Sequence, residues 1–268
     1  MSRTLLLGSG WHPPLFRSEI KALFGEIEVL HPRVVLLEDS IDETFLNRIS
    51  RAALVDDLLY FGGYCYGSDF SSIVDEISDW CKEQLSPGSF AVRSKKLGSG
   101  VGNISRRDLE KEVGAKLFSE INPVNLHNPD FEIVIIVAGE VEGEVHRDSF
   151  QFDPCIIWGI REKNWDKSDY LGRQPMERPF FKPISLEPRL AKLLISLAHK
   201  EENTPQNFID PFCGTGGIAI EALIQGMDIF VSDLDPTMVH GVNKNLSWAI
   251  DGRQNLIRVE KCLSLIHI

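Results

Sequence analysis

The stretch FIDPFCGTGGIAIEAL, residues 208–223, constrains this chain more than any other. An apolar approach ends on Asp210, an acidic–proline turn follows, and Gly214, Gly216 and Gly217 fall within four positions. An apolar pattern of helical spacing then runs to Gly226, and MDIFVSD (227–233) reads as a second strand. Strand, tight glycine turn, helix and strand define a β-α-β unit, whose strands must be parallel. The glycines let a ligand approach the backbone with no Cβ in the way. The helix after Gly217 offers free N–H groups and a positive dipole end. Asp233 closes the second strand, where a carboxylate can accept both hydroxyls of a ribose. The segment therefore reads as a nucleoside-cofactor site at the end of a parallel sheet.

The cofactor class follows from charge. A dinucleotide fingerprint places G-x-G-x-x-G/A directly after its strand. Gly214-Thr215-Gly216-Gly217-Ile218-Ala219 fits that only loosely, because Asp-Pro-Phe-Cys intervenes. Asp210 would repel a pyrophosphate at this point. S-adenosylmethionine removes the conflict, because its ammonium and sulfonium groups welcome a carboxylate. A purely structural strand–turn–helix is the plain alternative, and a nicotinamide oxidoreductase is the other.

The 268 residues also have to supply more than one such unit. Residues 1–67 give the order β-α-β-β-α-β, with the second helix over 42–54, that of a ferredoxin-like unit. A second α/β unit spans 68–162, with helices over 71–85 and 105–121 and strands over 89–97, 128–139 and 154–162. The polar, proline-bearing stretch 163–182 is a linker. The rest, 183–268, opens with an amphipathic helix over 185–200 with Ser185 as N-cap and continues into the glycine loop. The expected class is thus α/β: a ferredoxin-like N-terminal unit, a second α/β domain, and the first part of a Rossmann-like domain with an incomplete sheet.

Composition removes several classes. No apolar run approaches the ~18 residues that cross a membrane, and MSRTLLLGSG carries too short an apolar core for an export signal. The five cysteines are scattered and the seven histidines show no metal-ligand spacing, so reduced thiols, a cytoplasmic setting and no metal are expected. The formal net charge of −11 argues against a general nucleic-acid coat. Locally the balance reverses: Arg93, Lys95 and Lys96 end one strand, and Arg106 and Arg107 open a helix. Cations set against a helix dipole point to an anionic partner such as RNA phosphate, with a solvated basic face as the plain alternative.

Several segments carry a resemblance. IDPFCGTGGIAIEA resembles the cofactor loop of Rossmann-fold methyltransferases that act on exocyclic amines. RPFFKPISLEPRLAKLLISLA (178–198) resembles the segment preceding that loop in archaeal tRNA guanine-N2 methyltransferases, which act on guanosine 10. SFAVRSKKLGSG, SRRDLEKEVGAKL and VNLHNPDFEIVIIV resemble a THUMP domain, an RNA-binding module of tRNA-modifying enzymes. The resemblance covers nearly the whole chain. It implies a transferase that moves methyl from S-adenosylmethionine to N2 of a guanosine, with THUMP gripping the tRNA acceptor end; a monomer is expected. It implies that Asp210, Gly214 and Gly216 line the methionine part of the donor, that Asp233 holds the ribose, that Phe212 packs beside the loop, and that Ser185 flanks the site. On the RNA side it points to Arg93, Lys95, Lys96, Arg106 and Arg107.

One family element is missing. The family's Asp/Asn-Pro-Pro-Tyr/Phe motif, which positions the target amine, does not occur after Asp233. No Asp-Pro pair of the chain is followed by a second proline. A truncated methyltransferase domain, inactive by itself, is therefore expected. The terminal LSLIHI (263–268) reads as a translated sequencing-adaptor end and is expected not to be native sequence. An RNA-binding THUMP adaptor without catalysis and an rRNA guanine-N2 methyltransferase remain the competing readings.

Overall fold

A computed structural model describes residues 3–67, 69–141, 152–165, 167, 170–198, 207–250 and 255–261. Residues 263–268 lie outside them. The chain divides into two compact units. One comprises Met1–Arg17, Glu26–Leu46 and Val55–Lys167, and the other Ser18–Gly25, Asn47–Leu54 and Ser168–Ile268.

The first unit is built on one seven-stranded sheet. Its elements are β1 (Thr4–Gly8), β2 (Glu28–His31), β3 (Val34–Leu37), β4 (Val55–Tyr66), α3 (Phe70–Gln84), β5 (Phe90–Leu97), α4 (Arg106–Leu117), β6 (Phe131–Ala138) and β7 (Cys155–Arg161). Two helices, α1 (Pro13–Phe24) and α2 (Glu43–Ile49), begin in it and end in the second unit. The strand order β2-β3-β1-β4-β7-β6-β5 contains the ferredoxin-like order in its first four strands. β4 pairs antiparallel with β7, so the stretches 1–67 and 68–162 share a continuous sheet.

The reason for each strand is visible in its pattern. From Ile133 onward, FEIVIIVA in β6 is apolar without alternation because both faces are covered. Ile133, Ile135 and Val137 join the core with α3 and α4, while Val134, Ile136 and Ala138 join the core on the other face. In β4 the pair Gly62-Gly63 sits at a register shift against β7. A Cβ on Gly62 would come 2.4 Å from the Trp158 ring, so glycine makes room for the largest fully buried side chain of the sheet. Helix α4 buries Leu109, Val113 and Leu117, one residue per turn, and Ser105 caps it by accepting from the Asp108 N–H.

The second unit holds a three-stranded sheet, order β10-β9-β8, of β8 (Asn207–Asp210), β9 (Asp228–Asp233) and β10 (Ile257–Lys261). Both pairings are parallel. Helices α5 (Pro188–Ala198), α6 (Gly217–Ile224) and α7 (Pro236–Ala249) accompany it. Its core gathers Ile195, Ala219, Leu223, Ile229, Val242 and Leu246 among others. Ile209, in β8, is 74% exposed.

Several boundaries differ from the sequence reading. Helix α2 ends at Ile49 rather than running to residue 54, and α4 ends at Leu117 rather than 121. Helix α5 starts at Pro188, so Ser185 is not its N-cap: Pro188 at the first turn has no N–H to lose, and Ala191 N–H already donates to Glu187.

In place of more helix, side chains take backbone groups of residues 50–54. Glu19 accepts from the N–H of Ala53 (2.7 Å) and Leu54 (2.9 Å). Lys192 donates to the Ser50 carbonyl (2.7 Å) and Ser196 to that of Arg51 (2.8 Å). Glu19 is fully buried, and burial pushes its carboxyl up to about 7 despite the N–H donors, Ser196 and Lys192, which pull it down. A raised folded-state value means that the native chain holds more protons than the unfolded one between the two values. The stability of wild type relative to Glu19→Gln is therefore expected to fall as pH rises from about 4.5 to about 7, read from urea unfolding. A difference that is flat or rises over that window contradicts this account.

Candidate functional site

Strand β8 delivers Asp210 to the carboxyl end of the sheet, and β9 delivers Asp233 beside it. Asp210 accepts from the Phe212 N–H (2.9 Å), which folds the chain back on itself. Cys213 N–H then donates to the Ser232 carbonyl (3.0 Å), and Gly214 N–H donates to Asp233 Oδ2 (2.9 Å). The other oxygen, Oδ1, accepts from Asp235 N–H (2.9 Å). One carboxylate thus fixes the glycine turn and the exit from β9 together.

The glycines have different reasons. Gly214 has φ +53° and open space where a Cβ would stand. Gly216 has φ +80° and its Cβ would come 2.4 Å from Val242 on α7. Gly217 opens α6, and its Cβ would press on Arg178 and Leu186 at 3.2 and 3.3 Å. Only Gly214 leaves room for a ligand. The other two let the loop seat against its neighbours.

Electrostatics define what could sit there. Burial is the main cause that raises the Asp210 carboxyl above its ordinary range, and the charge of Asp233 adds to it. Burial and the same two carboxylates push the Cys213 thiol up to about 12, so it is an inert, buried thiol. Among the described residues neither carboxylate is in an ion pair. Two acids beside an open glycine turn suit a ligand with positive charge and hydroxyl groups, and oppose a pyrophosphate. Helix α6 has no capping side chain, so its first N–H groups are not used by one. These residues fit S-adenosylmethionine.

Phe212 departs from the expectation of packing: it is 72% exposed, because the turn at Asp210 directs it outward. Ser185 does flank the loop, but as a turn residue. Its hydroxyl accepts from Lys182 N–H (2.9 Å) and from the Thr215 hydroxyl (3.0 Å). Sequence reasoning missed Asn245. It lies on the buried Gly241–Val242–Asn245–Leu246–Ala249 stripe of α7, with no exposed surface. A polar residue on an apolar helical stripe must find buried partners, and that was the available signal.

The basic residues separate in the first unit. Phe90 and Val92 face α3 and α4, so alternation puts Lys96 on that face and Arg93 and Lys95 on the other. Lys95 donates to Asp57 (2.6 Å), a buried carboxylate that also takes two bonds from Arg161 at 2.8 Å. Arg93 donates to the Leu126 carbonyl and lies 3.9 Å from Glu132. Lys96, Arg106 and Arg107 are exposed. Lys96 reaches the Gly100 turn that leads toward α4, and Arg106 and Arg107 form the first turn of that helix.

The comparisons with known proteins agree with this geometry. Residues 175–262 match the family model of the RMKL-like methyltransferase domain UPF0020, and 67–141 match the THUMP domain. The tRNA (guanine(10)-N2)-dimethyltransferase of Methanothermobacter thermautotrophicus is 32% identical over 250 residues, 90% of this chain and 67% of its own. That of Pyrococcus abyssi is 29% identical over 183 residues, 68% and 49%. That of Methanocaldococcus jannaschii is 30% identical over 161 residues, 59% and 41%. The chain thus spans from about two thirds down to two fifths of these relatives. In fold, it resembles TrmN from Thermus thermophilus (TM-score 0.55, 19% identity, 98% of this chain and 74% of that one). It also resembles SMU.472 complexed with SAH (TM-score 0.51, 15% identity, 97% and 74%).

Fold and site define a THUMP protein with a Rossmann-like methyltransferase domain. The chain belongs to the family whose curated members are named tRNA (guanine(10)-N2)-dimethyltransferase.

The two loop glycines separate experimentally. Alanine at Gly214 meets only the left-handed backbone cost, about 1–2 kcal/mol. Alanine at Gly216 adds overpacking against Val242, about 1–3 kcal/mol more. Chemical denaturation is expected to rank Gly216→Ala below Gly214→Ala. Equal stability of the two variants contradicts the packing role of Gly216.

Proposed function

We propose that the intact protein transfers methyl from S-adenosylmethionine to the exocyclic N2 of a guanosine in tRNA. The observation that carries the reading is the pair Asp210 and Asp233 on either side of the open Gly214 turn. Bound S-adenosylmethionine supplies a methyl group on a positively charged sulfur. Asp233 would hold the ribose hydroxyls, since each of its oxygens keeps a lone pair beyond its backbone bond. Asp210 would face the cationic part of the donor, and the Gly214 backbone would line the methionine part. The buried thiols Cys81, Cys155 and Cys213 are unpaired, which suits a reducing, cytoplasmic setting.

For the RNA, the THUMP match and the relatives' names support a tRNA substrate. We further propose that the acceptor end is the part gripped and that the protein acts as a monomer. Lys96, Arg106 and Arg107 are the exposed cations suited to phosphate. Arg93 and Lys95 have protein partners, so their part in RNA binding is secondary. Replacing Lys96 and Arg106 with Glu is expected to weaken tRNA binding and to lower its salt slope by about one for each lost phosphate contact. Lys95→Ala instead is expected to lower the melting temperature, because it removes one of the cations that hold Asp57. Equal effects of all three on tRNA affinity contradict this division.

The 268-residue polypeptide contains no Asp/Asn-Pro-Pro-Tyr/Phe motif, and positioning of the target amine is a large share of the rate of such a transfer. We therefore expect this polypeptide to bind S-adenosylmethionine, to lose that binding with Asp233→Ala, and to give no methylated tRNA above background. Turnover by the purified chain overturns the inactivity. Unchanged binding in Asp233→Ala overturns the assignment of the ribose site.

A further inference from the structure

We propose that residues 178–185 form a positioning strap for the cofactor loop, and that Asn245 is the residue through which the strap acts. The inference rests on the cofactor reading of the glycine loop and adds residues that the reading does not assign.

Asn245 is fully buried and all its polar atoms are used. Its Oδ1 accepts from Phe180 N–H (2.9 Å), and its Nδ2 donates to the Phe180 carbonyl (2.7 Å). The amide therefore reads both backbone groups of one strap residue, as a paired strand would. The same Nδ2 also donates to the Thr215 carbonyl (2.8 Å), in the middle of the glycine loop. A second link runs in parallel, from the Thr215 hydroxyl to Ser185 at the far end of the strap (3.0 Å). The Phe180 ring lies so close to Gly241 that a Cβ there would meet it at 2.0 Å, which seats the strap on α7. Arg178, 4% exposed, closes the strap on itself by donating to the carbonyls of Arg173 (3.0 Å) and Leu186 (2.9 Å).

The loop is thus held from two sides. Asp233 fixes Gly214, while Asn245 and Ser185 hold the carbonyl and the hydroxyl of Thr215. Between them Gly214 is the residue left open to a ligand, with its peptide already oriented. A loop ordered before binding does not have to be ordered by the ligand, and affinity gains accordingly.

The test uses the 268-residue chain with Asn245→Asp, Ser185→Ala and the double variant. Asn245→Asp keeps the acceptor for Phe180 N–H but sets an oxygen against the carbonyls of Phe180 and Thr215. Ser185→Ala is the milder lesion and preserves the buried amide. Two readouts are taken: amide hydrogen exchange of the ligand-free chain, and the Kd of S-adenosylhomocysteine by calorimetry. The strap predicts faster exchange at the Gly214–Gly217 amides, with β9 and the middle of α7 still protected. It predicts Kd weakened about tenfold by Asn245→Asp and less by Ser185→Ala. Because both act on Thr215, the double variant loses less than the product of the two. Retained wild-type Kd in both single variants, or loosening spread evenly over the second unit, overturns the proposal. If wild type itself binds no S-adenosylhomocysteine, the cofactor reading fails, and the exchange pattern still decides whether the strap orders the loop.

Discussion

The second unit depends on the carboxylate of Asp233. One oxygen holds the Gly214 N–H and the other holds Asp235 N–H, so a single side chain sets the turn after β8 and the entry to α7. Asp235 in turn caps α7 by accepting from the Thr237 N–H (2.7 Å). The geometry leaves two acids at the ends of adjacent parallel strands with no cation between them among the described residues. Such a site has an electrostatic deficit, and a positively charged nucleoside fills it better than a phosphate does.

The first unit solves a different problem. Its edge strand β5 carries Arg93, Lys95 and Lys96, and charged edges discourage strand-to-strand association. The neighbouring acids divide these cations by role. Asp57 is buried between Lys95 and Arg161, and a buried carboxylate deprived of both would be left uncompensated. Lys96, on the opposite face, reaches the Gly100 turn before α4, with Arg106 and Arg107 exposed on that helix's first turn. The basic group of Arg93, Lys95, Lys96, Arg106 and Arg107 is therefore partly structural and partly available to an anion.

Much of this was legible in the sequence, and the losses have physical causes. The β-α-β reading around the glycine loop holds nearly residue for residue, because Asp210, the glycines and Asp233 are local signals. The ferredoxin-like order of the first four strands was legible from patterning, whereas the continuity of the seven-stranded sheet was not, because β4–β7 pairing joins residues about a hundred positions apart. Residues 50–54 read as a continuation of the helix from their own sequence, but Glu19, Lys192 and Ser196 offer their backbone other partners. Alternation could have divided Lys95 from Lys96, yet only the register shows Asp57 waiting on one face. Asn245 was hidden for a similar reason: its stripe announces burial, while its partners Phe180 and Thr215 come from distant segments.

The most direct test of the central claim is equilibrium binding of S-adenosylmethionine and of NADH to the same purified chain, by calorimetry at moderate ionic strength. Two carboxylates around an open glycine turn predict saturable binding of S-adenosylmethionine and none of NADH. Saturable binding of NADH with none of S-adenosylmethionine would contradict the account, because it would mean that a pyrophosphate sits where Asp210 and Asp233 should repel it.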